Sequence, residues 1–123
     1  LVSSHDSDPH LVACVLSAGM GFGVQVTDQG RGLFEQCEIR DHVMAGAKIS
    51  RGGNPIFRRC QFTQGRDVGL FFAEGARGIL DQCQVRGNAK GGIRIAPGAE
   101  PIIQGGRITD PVQKEGKLGL FGL

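Results

Sequence analysis

Four cysteines stand at Cys14, Cys37, Cys60 and Cys83, each 23 residues after the last. A constant interval of that size marks a repeat architecture, in which one short unit is copied and stacked. Other positions keep the same beat. Pro9, Gly32, Pro55, Gly78 and Pro101 hold only glycine or proline, which writes a turn at one place in five successive units. Leu11, Phe34, Phe57, Leu80 and Ile103 are apolar throughout, as are Leu16, Ile39, Phe62, Val85 and Ile108. Gly23, Gly46, Gly69 and Gly92 open four units, and Val26, Ile49, Phe72 and Ile95 complete the pattern. The unit reads G-φ-x-φ, a short turn, [GP]-φ-φ-x-x-C-x-φ and a polar turn, where φ is apolar.

Several repeat folds share this length, and residue type separates them. Glycine and proline recur too often for helical hairpins. Leucine-rich repeats need an L-x-x-L-x-L core that no unit contains. MORN repeats are built on Tyr and Trp, and the chain has neither. What remains is short β-segments: Gly23 to Val26, Cys37 to Ile39, Ala47 to Ile49, Cys60 to Phe62, Cys83 to Val85 and Gly92 to Ile95 alternate apolar with polar. Period 2 inside period 23 is a parallel β-helix, and the lack of hexapeptide periodicity favours the right-handed form. The expectation is an all-β solenoid of about five coils (about 1–22, 23–45, 46–68, 69–91 and 92–115), closed by an irregular cap over 110–123. At about 4.8 Å per coil the rod is roughly 24 Å long. Stacked charges support the register, because Glu35, Arg58 and Asp81 alternate in sign at 23-residue steps.

With the units aligned, G-A-K-I-S-R-G-G-N-P-I-F-R-R-C-Q-F (46–62) and G-L-F-F-A-E-G-A-R-G-I-L-D-Q-C-Q-V (69–85) resemble the right-handed β-helix repeats of carbohydrate-binding and sugar-hydrolase proteins. More narrowly they resemble the β-helical substrate-recognition region of F-box ubiquitin-ligase subunits and related bacterial repeat proteins. The resemblance runs from about Pro9 to Ile108 and implies the fold far more than an activity. Such repeats place Asn where this chain has its cysteines, so an Asn ladder is replaced by a Cys ladder. A ubiquitin-ligase role would need an F-box segment that this chain does not contain.

Four thiols in a line do not make a tetrahedron, and parallel Cβ vectors strain a disulfide, so the cysteines are expected to be free, buried and structural. Free thiols lean toward a reducing, cytoplasmic setting. No cofactor or metal is expected: the run holding His5, Asp6, Asp8 and His10 reads as a solvated first turn, and Lys114, Glu115 and Lys117 as solvated tail charges. A net charge of +2 is too weak for a nucleic-acid footprint, and no apolar run suits a membrane. With 21 glycines but 40% hydrophobic residues, the chain has a core to bury.

The polysaccharide-cleaving enzymes that share this fold cluster carboxylates on one outward face, inside a groove walled by long loops. The comparable column here is Gln25, Lys48, Phe71 and Arg94, which has cations and no carboxylate. That column suits recognition, with Phe71 as a rigid aromatic anchor between Lys48 and Arg94. Arg58 and Arg59 on the adjacent face, with Arg40 and Arg86 one column away, add a basic surface suited to an acidic peptide or sulfated glycan. The reading is a non-catalytic recognition scaffold for a protein partner, with a glycan-binding or polysaccharide-processing module, or a purely structural segment, as alternatives. The chain starts mid-unit, with Leu1 at the position of Val24, and ends in an apolar G-L-G-L-F-G-L. These ends predict a final irregular strand over Leu118–Leu123, and either a fragment of a longer chain or a domain whose open end is closed by a partner or by self-association through open coil ends.

Overall fold

The computed structural model describes residues 1–115. Over that span the chain winds as a right-handed parallel β-helix of about five coils, with no helix among the described residues. Three parallel sheets run along the rod. Sheet A stacks Val2–Ser3, Val24–Val26, Ala47–Ile49, Leu70–Phe72, Ile93–Ile95 and Val112–Lys114. Sheet B stacks His10–Val12, Arg31–Glu35, Asn54–Arg58, Ile79–Asp81 and Ile102–Gln104. Sheet C stacks Val15–Ser17, Glu38–Arg40, Gln61–Thr63, Gln84–Arg86 and Arg107–Ile108. The register follows the sequence period: Val24 pairs with Ala47, Phe34 with Phe57 and Ile39 with Phe62.

Each strand turns alternate side chains inward, so the repeated apolar positions meet on the rod axis. Val26, Ile49 and Phe72 come from sheet A, Phe34, Phe57 and Leu80 from sheet B, and Ile39, Phe62 and Val85 from sheet C. Residues one coil apart lie one strand spacing apart, which is also a good distance for stacked rings. The Phe34 and Phe57 rings lie 4.8 Å apart and 19° from parallel, while Phe62 meets Phe57 edge-on at 5.2 Å.

The corners are as repetitive as the strands. Between sheets B and C the chain turns on a left-handed residue in every coil: Ala13, Gln36, Arg59, Gln82 and Gly105, with φ of 54°, 54°, 53°, 57° and 61°. After sheet C it does so again at Ala18, Asp41, Gln64 and Gly87. For a residue with a Cβ this backbone costs on the order of 1 kcal/mol, and the parallel pairing on both sides of the corner holds it there.

The structure differs from expectation at the C-terminal end. The period does break after Ile108, but 112–114 is a paired strand and not part of an irregular cap: Ile93 aligns with Val112, 19 residues on. The four missing residues fall in the turn from sheet C to sheet A, so the strands on either side keep their pairing. Glu115 is likewise no free tail charge, since its Oε1 accepts a hydrogen bond from Arg94 Nε at 2.9 Å. The expected strand over Leu118–Leu123, and Lys117, lie outside the described residues.

A second ladder occupies the corner after sheet C, where Gly19, His42, Gly65 and Asn88 share one column. The Asn88 Oδ1 accepts from the Gly65 N–H at 3.0 Å, and its Nδ2 donates to the Phe62 carbonyl at 3.0 Å. His42 copies both contacts two coils earlier: Nδ1 accepts from the Gly19 N–H at 3.2 Å and Nε2 donates to the Leu16 carbonyl at 2.8 Å. Imidazole here does an amide's work. Glycine must alternate with it, because a Cβ on Gly19 would sit 2.8 Å from His42 Nδ1. His42→Asn therefore costs under about 1 kcal/mol, whereas His42→Ala, which orphans a buried donor and acceptor, costs about 2 kcal/mol in urea unfolding.

Candidate functional site

On sheet A the register places Gln25, Lys48, Phe71 and Arg94 in one outward column. Three of the side chains, Lys48, Phe71 and Arg94, stack on one another. Lys48 Nζ lies 5.9 Å from the Phe71 centroid and 5.3 Å from that of Phe22, and the Arg94 guanidinium lies 4.9 Å from Phe71. A cation over an aromatic face is worth about 0.5–1 kcal/mol at an exposed site, so the stack fixes the side chains more than it stabilises the fold. The result is two cations gathered on a half-buried ring, with Glu115 bonded to one of them.

The other basic residues do not join this column. Arg58 points outward from sheet B and bonds Asp81 Oδ2 at 3.2 Å, an exposed pair worth at most about 1 kcal/mol. Arg59 sits on the left-handed corner before Cys60 and is exposed. Arg40 and Arg86 lie on sheet C with Thr63 between them. The five candidate residues thus occupy two sheets and a corner.

Sequence reading missed the outer row of sheet B, where His10, Leu33, Ile56, Ile79 and Ile102 align. Four of the five are large and apolar, and each faces away from the core. The signal was present in the unit itself. A strand that writes two adjacent apolar residues, Leu33-Phe34 or Ile56-Phe57, can bury only one of them. A hollow of about 280 Å³ beside this row is lined by Asp8, Arg31, Leu33, Asn54 and Ile56 among others.

All four cysteines are free, and Cys37, Cys60 and Cys83 are buried while Cys14 is half-buried. They are more than space-fillers. The Cys60 Sγ–H reaches the Phe34 carbonyl at 3.1 Å and the Cys83 Sγ–H the Phe57 carbonyl at 3.1 Å, each bridging one coil to the one before. The neighbouring Cys83 side chain, and then burial, push the Cys60 thiol far above the ordinary thiol range. A thiol kept protonated in the fold but free to ionise in the unfolded chain makes folding least favourable at high pH. Stability attributable to Cys60 is intact below about pH 8.5 and is lost progressively as pH rises above it. With no tyrosine to titrate in that range, Cys60→Ser reduces the alkaline slope of unfolding free energy between pH 8.5 and 10. In the native state a thiol reagent labels Cys14, and the other three react only as the chain unfolds.

Among the described residues no three His, Cys, Asp or Glu side chains converge as a metal would require. At the N-terminal run His5 and Asp6 take left-handed turns and His10 Nε2 lies 3.6 Å from Asp8 Oδ1, both side chains open to solvent. From the first coil to the fourth the 23-residue step is constant, so no inserted loop rises beside these groups.

Residues 1–113 match the model of a family described as right handed beta helix region. The match carries the coil repeat and does not reach the narrower likeness to F-box subunits. No solved structure matches the chain.

Proposed function

The chain belongs to the right-handed β-helix family, and from that premise we propose that it serves as a non-catalytic recognition scaffold for a protein partner. The observation that carries this reading is the prebuilt Lys48–Phe71–Arg94 stack on the flat outer face of sheet A. Binding normally costs the ordering of long cationic side chains, and here the aromatic ring has already ordered them. Two fixed cations around one aromatic suit an acidic protein segment laid along the rod. A flat sheet with uniform turns supplies area and rigidity for such contact, and it supplies no enclosure for chemistry.

The test is a titration of the 123-residue chain with an Asp/Glu-rich peptide and, in parallel, with a heparin-derived oligosaccharide. The expected result is saturable peptide binding that weakens about tenfold or more when Lys48, Phe71 and Arg94 are all changed to Ala. Oligosaccharide binding without peptide binding would move the assignment to a glycan module. Peptide binding indifferent to the triple change would remove this column from the function.

A further inference from the structure

The outer face of sheet B carries three parallel columns, and their order along the rod is specific. The central column is His10, Leu33, Ile56, Ile79 and Ile102. On one side, at matching positions of successive coils, lie Asp8, Arg31, Asn54, Arg77 and Glu100. The repeated bonds Arg31 N–H to Ser7 O, Asn54 N–H to Gly30 O, Arg77 N–H to Gly53 O and Glu100 N–H to Ala76 O fix that alignment. On the other side lie Val12, Glu35, Arg58, Asp81 and Gln104. Arg31, Asn54, Arg77 and Glu100 are exposed, and Ile102 is 51% exposed.

We propose that this face joins two copies of the chain side by side, with the rods parallel and the isoleucine rows in contact. The columns decide the partner and the orientation. A twofold axis running along the apolar row brings the left column of one copy onto the right column of the other at the same coil. Arg31 then faces Glu35 of the second copy, Arg77 faces Asp81, and Asn54 faces Arg58, each pair occurring twice by symmetry. Asp8 meets Val12 and Glu100 meets Gln104, so no like charges oppose each other. The antiparallel alternative reverses the coil order and sets left against left. It would place Arg31 against Arg77, Asp8 against Glu100, Glu35 against Asp81 and Arg58 against Arg58, which is repulsive at every level. Opposite charges at matched heights beside the apolar run Leu33, Ile56, Ile79 and Ile102 fit a second copy in the parallel orientation and not in the antiparallel one.

The face spans five strands by about five residues, on the order of 24 by 16 Å. That is about 400 Å² per copy, half of a standard interface, so the dimer is weak and concentration-dependent. This surface is separate from the Lys48–Phe71–Arg94 column, so failure here leaves the proposed function standing. Sedimentation equilibrium of the chain up to about 1 mM should show a reversible monomer–dimer equilibrium. Ile56→Asp, on the outer face and outside the core, should weaken it at least tenfold while the circular dichroism spectrum is unchanged. Arg31→Glu should weaken it several-fold, and Arg31→Glu with Glu35→Arg should restore it. A chain that stays monomeric at 1 mM overturns the proposal. So does Arg31→Glu strengthening association, because that is the antiparallel signature, and so does association indifferent to Ile56→Asp, which places the contact elsewhere, as at the coil ends.

Discussion

Phe57→Ala lowers the free energy of unfolding by about 3–5 kcal/mol, read from urea denaturation of the 123-residue chain. Phe57 is fully buried at the middle coil, stacked on Phe34 and edge-on to Phe62. Truncation removes the ring from both contacts at once. The cavity cannot collapse, because the neighbouring residues are held by main-chain pairing at the strand spacing above and below. A domain of this size has about 5–15 kcal/mol in total, so the variant loses a fifth or more of its stability. Phe71→Ala supplies the contrast. Its ring stands on the outer face, so the change costs under about 1 kcal/mol and leaves the fold available for binding measurements. Equal losses at the two positions would contradict the assignment of inner and outer faces.

Gly46→Ala is expected to cost about 3 kcal/mol, the upper range for inserting a methyl group into a packed site. The backbone angle at Gly46 is ordinary, so the cost is one of space. A Cβ there would lie 2.7 Å from the Gly69 carbonyl oxygen, with Ile39 and Phe62 behind it at 3.3 and 3.4 Å. That oxygen accepts the Ala47 N–H at 3.1 Å and cannot withdraw without parting two coils. Gly21→Ala is the control, since a Cβ at Gly21 meets nothing within 4 Å. A melting temperature for Gly46→Ala equal to that of Gly21→Ala would mean that the coils are not in contact at the opening glycines.

The period made the fold legible from sequence, because one displacement of 23 residues is both the sequence repeat and the strand pairing. The cysteines announced it, and Gly46 and Gly69 could be assigned to a common column before any coordinate was known. Two features escaped for physical reasons. The His42 and Asn88 ladder repeats over two coils, since a side chain that leans onto its neighbour's backbone needs glycine in the next layer. At a period of 23 the column Gly19, His42, Gly65, Asn88 therefore looks random. The outer isoleucine row was hidden by its inner neighbours: Ile56 and Phe57 are both simply apolar in the unit, though the pleat turns only one inward. The sheet A column was visible because Lys48 and Arg94 are polar and could only point outward. That Lys48 and Arg94 lie over the Phe71 ring was a matter of rotamers, which spacing does not specify.

Each coil is bonded only to the coil on either side of it, so force applied to the two chain ends meets its resistance one layer at a time. Under load the rod should peel and not shatter, giving a sawtooth trace in which each tooth frees 23 residues, roughly 75–80 Å of slack chain.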